Sequence, residues 1–472
     1  MPNMHPLEVQ PIPEFGAAPS LIVGAALFMQ MLDGTVVASA LPAIARSFGE
    51  SPVRLNAIIT IYLLTAAATI PVSGWLADRF GARSTFIFAI CIFTISSGIC
   101  GLTDSFYQLL AARCLQGFGG AMMVPVGRII ILRNTPKSQL LRAMSLLTLP
   151  AIIGPIIGPI IAGALITYAS WRWIFIINIP IGFFGIILTL LYIKHNARRK
   201  GVSFDAKGFA LTGVGLPLII VGMFGAAKGA AGADIYYASL IVGIVLLALY
   251  VYILPRISNP ILDLRLFTIY SFNAATVAGG LCRAGFGALP FLLALLLQIG
   301  FHLSAMDAGL ISFTSAIGAL MSKPILQHLI RKFGIKNIII LMCCLNFLII
   351  ILYGMFKPGI PYYIIVSGLV FGGFVRSCLF TSLNALAYLD ISDHQSSKAS
   401  GLSSVMQQVF TVVGVGIASL VLQILITRSG TANITPDQIG TTFIVMAIIS
   451  IISIFWFIGL PRDTGSELKI NK

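Results

Sequence analysis

The sequence predicts an all-α protein that crosses a lipid bilayer many times. Three observations carry this. Hydrophobic residues make up 58% of the 472-residue chain and charged residues only 10%, against about 25% charged in an ordinary soluble domain. The apolar residues fall in long runs of about 20 residues, the helical length that crosses a hydrocarbon core of about 30 Å. The Lys and Arg residues gather on one side of these runs, which the positive-inside rule makes cytoplasmic. A chain this apolar has too little polar surface to cover its own core, so much of its surface must meet lipid.

Fourteen runs qualify, near residues 20–45, 55–78, 84–102, 106–132, 140–167, 171–193, 208–227, 235–255, 271–300, 305–330, 337–356, 361–387, 399–427 and 440–460. Most connections are short, and none is long enough for a separate soluble domain. With the N-terminus placed inside, the cytoplasmic segments hold nineteen Lys and Arg residues. The outer segments hold six: Arg46, Arg54, Arg172, Lys228, Lys357 and Arg428. This bias sets both termini in the cytoplasm and demands an even number of spans. It also accounts for the net charge of +15 without a nucleic-acid partner. The first 18 residues, Met1 to Ala18, hold no Lys or Arg, unlike the basic start of a cleaved signal peptide. The first run is therefore expected to remain as a span.

Several chemistries are not expected. All seven cysteines lie in apolar runs and form no CxxC pair, and the five histidines show no HExxH spacing, so neither a metal site nor a disulfide framework is predicted. No GxxxxGK[ST] phosphate loop occurs, so the chain has no ATP motor of its own. No cofactor is expected beyond protons as a coupling ion. No cluster of His, Cys or Ser with an acid recurs within the spans, which argues against a membrane-embedded enzyme.

An internal repeat is visible. The second run ends in GWLADRFGAR, from Gly74 to Arg83, and the tenth in QHLIRKFGIK, from Gln327 to Lys336. Each is a basic, Phe-Gly-centred turn after an apolar helix on the cytoplasmic side, and duplicated six-span bundles are a transporter signature. The chain then reads as a cytoplasmic tail (1–19), a six-helix bundle (20–193) and a linker (194–270) with two inserted spans (208–227 and 235–255). A second six-helix bundle (271–460) and a cytoplasmic tail (461–472) follow.

Asp33 is the only carboxylate deep inside a predicted span. An acid near the bilayer centre costs about 2.5–3.5 kcal/mol on insertion scales and marks a functional site by default. Removal from water favours the neutral form of a carboxyl group, so Asp33 is a candidate proton carrier. Arg113 is its natural partner. At 1.5 Å per residue, Asp33 lies about 18 Å and Arg113 about 10 Å from the outer ends of their helices, which are compatible depths. An adjacent guanidinium favours the ionised acid, and its withdrawal favours proton uptake. Gln116 and Gly117 follow Arg113 at helical spacing and share its face, and Gly117 with Gly120 permits close helix approach.

The fifth span carries Pro150, Gly154, Pro155, Gly158, Pro159 and Gly163. Three prolines remove helical hydrogen bonds, and Gly154 with Gly158 forms a GxxxG packing face. A bent, tightly packed gate helix and an ordinary kinked span both fit. After the second span, Gly74, Asp78, Arg79, Gly81 and Arg83 form a candidate conformational latch. Asp78 sits at a helix C-terminus, where the macrodipole disfavours an acid, so a basic or helix-N-terminal partner is expected. The tenth-span counterpart has Arg331 where Asp78 stands, so such a latch is one-sided. Arg283, Arg376 and Lys323 fall inside C-terminal spans that hold no deep carboxylate. Arg283 and Arg376 are candidate contacts for an anionic substrate, and Gln30 and Gln116 are further candidate substrate contacts. Lys323 can instead snorkel.

These motifs together resemble the drug:proton antiporters of the major facilitator superfamily, in their fourteen-span branch. The stretch LDGTVVASALP from Leu32 to Pro42 resembles the family's first-span motif, Gly74 to Arg83 its cytoplasmic loop, and RCLQGFGG from Arg113 to Gly120 its fourth-span motif. Gly154 through Gly163 resembles the antiporter motif, and SWRWIFIINIP from Ser170 to Pro180 the sixth-span entry of that branch. The resemblance covers the whole chain. It departs at Ala162, where glycine is common, at Ala82 within the basic pair, and in the missing acid of the tenth-span loop. It implies a multi-pass, monomeric transporter in the bacterial inner membrane that exports a small molecule against protons. Asp33 and Arg113 then couple protons, the fifth span is the gate, and Asp78 with its loop is the latch. An exporter of a specific anionic metabolite, such as a siderophore or organic acid, is the alternative within the same fold. A passive channel fits the Asp33–Arg113 pairing less well.

Overall fold

The structure is a computed structural model that describes residues 17–50, 52–194, 203–226, 233–303, 305–429, 434–461 and 464–465. The terminal tails fall mostly outside this range, with Arg198, Arg199, Lys200, Lys228, Arg462, Lys469 and Lys472 from the charge count. The described residues form helices and connections and contain no strand. The first half holds α1 (Ala17–Phe48), α2 (Pro52–Thr69), α3 (Ser73–Phe80), α4 (Ala82–Gly101), α5 (Phe106–Asn134), α6 (Leu140–Tyr168), α7 (Trp173–Ile176) and α8 (Asn178–Tyr192). Then come α9 (Ala206–Ala226) and α10 (Ala233–Ile253). The second half holds α11 (Tyr270–Asn273), α12 (Gly279–Leu295), α13 (Ala305–Phe333), α14 (Ile335–Gly354), α15 (Tyr362–Leu386), α16 (Ser396–Ser429), α17 (Pro436–Ile451) and α18 (Ile454–Ile458). Thirteen stretches of the described residues are long and apolar enough to cross a membrane. Helix α6, 29 residues long, occupies the place of the fifth predicted span and stands outside those thirteen.

The chain departs from simple rods where its residues demand it. The second predicted span breaks at Ile70–Val72, a 3₁₀ turn containing Pro71, which has no N–H to donate. The ninth carries wide π-helical turns at Ala274–Ala278 and Leu296–Gly300, on either side of Pro290 in α12. The sixth begins as the short α7 and restarts at Asn178, with Pro180 in the first turn of α8, where a missing donor costs little. The fifth runs as one continuous helix through its prolines.

The two Phe-Gly turns share one backbone geometry. Gly81 has φ 91° and ψ 140°, and Gly334 has φ 80° and ψ 154°, a region open to glycine and strained for other residues. Two residues later, Arg83 donates to the Leu190 carbonyl at the end of α8, and Lys336 donates to the Ile458 and Leu460 carbonyls at the end of α18. The repeated sequence thus makes a repeated contact with the last helix of each half.

Helix α1 lies along α6 and touches α2, α5 and α8, while α4 packs between α5 and α8. In the other half α12 packs on α16 and α17, α13 on α15, and α14 on α15 and α17. Helices α9 and α10 pair with each other, and α9 leans on α2 and α16, one helix from each half. Large apolar side chains such as Ile95, Phe183, Leu191 and Phe455 point outward, which suits a surface covered by lipid.

Candidate functional site

Asp33 sits midway along α1 and is 1% exposed. Its carboxylate accepts from three side chains on two other helices. Arg113 Nη1 of α5 reaches Oδ2 at 2.7 Å, and Gln116 Nε2, one turn on, reaches Oδ1 at 2.9 Å. Asn178 Nδ2, at the start of α8, reaches Oδ1 at 3.2 Å. Arg113 also donates to Gln116 Oε1 at 2.6 Å and, from Nε, to the Ile58 carbonyl at 3.3 Å. Its guanidinium lies 4.5 Å from the centre of the Tyr62 ring. The Ser97 hydroxyl of α4 ties the amides together, accepting from Gln116 and Asn178 and donating to the Phe175 carbonyl. One acid and one cation, removed from water, are thus held by neutral donors and a ring face. A buried pair tolerates burial only with such geometry.

Glycine lets these helices come together. At Gly117 a Cβ would stand 2.6 Å from the Tyr62 carbonyl oxygen, so α5 rides directly on α2. At Gly154 of α6 it would stand 3.0 Å from the backbone at Phe28 and Leu32, and at Gly158 it would overlap Thr35. The GxxxG face of α6 therefore grips the turns of α1 on both sides of Asp33. Pro150 meets Gly24 on the same interface. Gly163 is exposed and has no neighbour there within 4 Å. The side chains of Pro155 and Pro159 lie outside the described positions.

Polar contacts cross between the halves at the end that carries the Phe-Gly turns. Asp78, buried at the C-terminal end of α3, accepts from Arg133 Nη2 at 2.7 Å and from the Ser397 hydroxyl at 2.6 Å. Arg133 donates to Ser397 as well, at 2.7 Å. Asp78 thus meets a basic side chain and the first turn of α16, where the helix dipole favours an anion. Gly74 permits this approach, since a Cβ there would stand 2.7 Å from the Ser397 carbonyl oxygen. Arg128 donates to Ser404 and Gln407 of α16, the Ser400 hydroxyl donates to the Pro125 carbonyl, and Lys323 of α13 donates to Thr148 of α6. Arg79 is exposed and takes no part in these contacts.

The remaining predicted residues separate. Gln30 stands one turn before Asp33 on α1, and its Oε1 is buried without a hydrogen-bond partner. Arg283 of α12 is buried, donates to Asn384 Oδ1 at 3.0 Å and lies 4.2 Å from the centre of the Phe380 ring. Arg376 does not join it, since its guanidinium turns to Ser315 of α13, at 3.5 Å. Sequence reasoning assigned no role to Asn178, Ser97, Tyr62, Arg128 or Ser397. Arg128 carried a readable signal as a cation within an apolar span, and Asn178 as a polar side chain in a motif otherwise aromatic and aliphatic.

The profile of the Major Facilitator Superfamily matches residues 23–409 and, in a second match, residues 275–471. The chain is 37% identical over 459 residues to the "Putative multidrug resistance protein MdtD" of Escherichia coli O6:H1, covering 96% of each chain. It is 36% identical over the same length and coverage to the protein of that name from Shigella boydii serotype 18. Among solved structures, the human organic anion transporter MFSD10 (TETRAN) matches with a TM-score of 0.67 at 13% identity, over 93% of this chain and 99% of that one. At that identity the likeness concerns the fold alone. The apolar helices and these relatives make the chain a multi-pass protein of the bacterial inner membrane. The chain belongs to the major facilitator superfamily and is a membrane transporter related to MdtD.

Proposed function

We propose that the protein is a proton-driven secondary exporter that works as a monomer by alternating access. In this reading fourteen helices cross the membrane and both termini are cytoplasmic. The bundles 20–193 and 271–460 rock against each other, and the linker 194–270 with its two inserted helices joins them. Protons are the only coupling species, and no enzymatic step is involved.

The observation that carries the proposal is the path of α5. One helix, Phe106–Asn134, bears Arg113 in the Asp33 network and Arg128 and Arg133 in the seal against α16. Twenty residues of helix span about 30 Å. While Asp33 is ionised, Arg113 is held to α1 and the seal is in place. When a proton binds the carboxylate, the charge pairing with Arg113 is lost. Asn178 Oδ1 is buried without a partner here, and a flip of the amide, which now donates Nδ2 to Asp33, turns it to accept the hydrogen bond that the neutral acid then donates. Arg113 is freed to move with α5, which withdraws Arg128 and Arg133 from Ser404, Gln407 and Ser397 and opens the sealed end. The glycines of α6 clasp α1 beside Asp33, so α6 stays with α1 as α5 moves. Proton affinity and access thus change together, as antiport requires.

The test is transport in proteoliposomes under an imposed pH gradient, with ethidium and carboxyfluorescein as probes. The proposal predicts uphill movement of at least one probe, abolished when an ionophore collapses the gradient. Movement that ignores the collapse would refute it.

A further inference from the structure

We propose that the seam between the two halves holds a site for the anionic group, carboxylate or phosphate, of an amphipathic organic anion, and that this is the class of molecule exported. The inference rests on the transporter reading above and names the substrate class. The buried acids Asp33 and Asp78 are taken by Arg113 and Arg133. Three further cations, Arg128, Arg283 and Lys323, are 7%, 6% and 7% exposed. Each is held by neutral groups: Arg128 by Ser404 and Gln407, Arg283 by Asn384, and Lys323 by Thr148 and Thr381. Burial of a cation without a counter-charge is costly, and neighbouring cations add repulsion.

Thr148 aside, the groups that hold the three lie on two successive helices of the second half, α15 and α16. Thr381 and Asn384, which hold Lys323 and Arg283, lie one turn apart on α15, and Gln407, which holds Arg128, lies one turn before Phe410, whose ring packs against Gly280, one turn before Arg283. The cations come from α5, α12 and α13, so both halves contribute. Four residues after Asn384, the Tyr388 hydroxyl is buried and has no hydrogen-bond partner. An unsatisfied buried hydroxyl calls for an explanation, and an anion at this place would accept from it and from the cations together. Beside them the half-buried Phe380 ring stacks on the buried Phe286 with ring centres 5.1 Å apart, and its exposed part is offered to the apolar body of the same molecule. Arg376, bound to Ser315, takes no part.

The test uses the full-length protein in phosphatidylcholine nanodiscs, with carboxyfluorescein binding followed by fluorescence anisotropy. Saturable binding that weakens with added NaCl is expected. Arg283→Gln and Lys323→Gln should each weaken it about tenfold or more, the size expected for a lost charge-assisted contact. Arg283→Lys, which keeps the charge, should weaken it less, and the exposed-site control Arg331→Gln should leave it unchanged. Coincident melting curves establish that the variants are folded. Absent binding, or equal binding by wild type and both glutamine variants, would overturn the site and leave these cations to the seal alone. Loss of dye binding on adding phosphatidylglycerol would give the site to a lipid headgroup and overturn the substrate reading. Binding that behaves as predicted, without gradient-driven transport, would instead refute the exporter reading and keep the site.

Discussion

Gly74→Ala tests how closely the sealed end is packed. The added Cβ would stand 2.7 Å from the Ser397 carbonyl oxygen and 3.2 Å from its carbon. Both are backbone atoms at the first turn of α16, so no rotamer change relieves the contact. Helices α3 and α16 must separate, which strains the Asp78–Ser397 hydrogen bond. Overpacking of this kind costs about 1–3 kcal/mol. Charged to the sealed state alone, that shifts the equilibrium toward the open state by about 5–150-fold. The assay is maleimide labelling of a cysteine introduced by Ser404→Cys, read by mass spectrometry on that peptide. Ser404 is buried in the seam beside Arg128, so labelling requires opening, and its rate follows the open population. Gly163→Ala adds the same methyl group where nothing lies within 4 Å and should leave the rate unchanged. A Gly74→Ala protein that is folded yet labels at the wild-type rate would refute the claim that this contact holds the seal.

Other consequences follow from the Asp33 network. Arg113→Gln leaves a buried carboxylate without its cation and should cost about 3–5 kcal/mol of stability. Adding Asp33→Asn should return part of that loss, so thermal unfolding of the single and double variants gives a coupling, and strict additivity would contradict the pairing. Asn178→Ala removes one donor to Asp33 and the acceptor proposed for the protonated state. Hydrogen bonds to charged groups contribute about 1.5–3 kcal/mol, so stability should fall by about that amount, and gradient-driven transport by the folded protein should fall by an order of magnitude or more. An unchanged rate would remove Asn178 from the coupling step.

Most of the helices were legible because a bilayer imposes one length and one composition on a span. The stretch 106–132 and helix Phe106–Asn134 agree closely, as do 361–387 and Tyr362–Leu386. What hydropathy does not register is the local hydrogen-bond pattern, so the 3₁₀ turn at Pro71 and the π turns flanking α12 were not foreseen. The Asp33–Arg113 contact could be reasoned from charge and depth, since a lone acid in lipid has few ways to be satisfied. Its neutral partners could not. Ser97 and Asn178 are ordinary residues until helix rotation places them on one oxygen. The partner of Asp78 was foreseen by type, from the helix dipole, but Ser397 is 319 positions away and only the packing of α3 on α16 identifies it. Arg283 and Arg376 looked alike in the sequence, as cations in apolar spans. They part because one helix presents its guanidinium to Asn384 and Phe380 and the other to Ser315.

The central claim is that proton coupling resides in Asp33. The direct measurement compares wild type with Asp33→Asn in proteoliposomes under an imposed pH gradient, following ethidium and carboxyfluorescein. The neutral, isosteric amide cannot take up and release the proton, so uphill accumulation is predicted to vanish while the protein remains folded and monodisperse. Full uphill accumulation by Asp33→Asn would contradict the account.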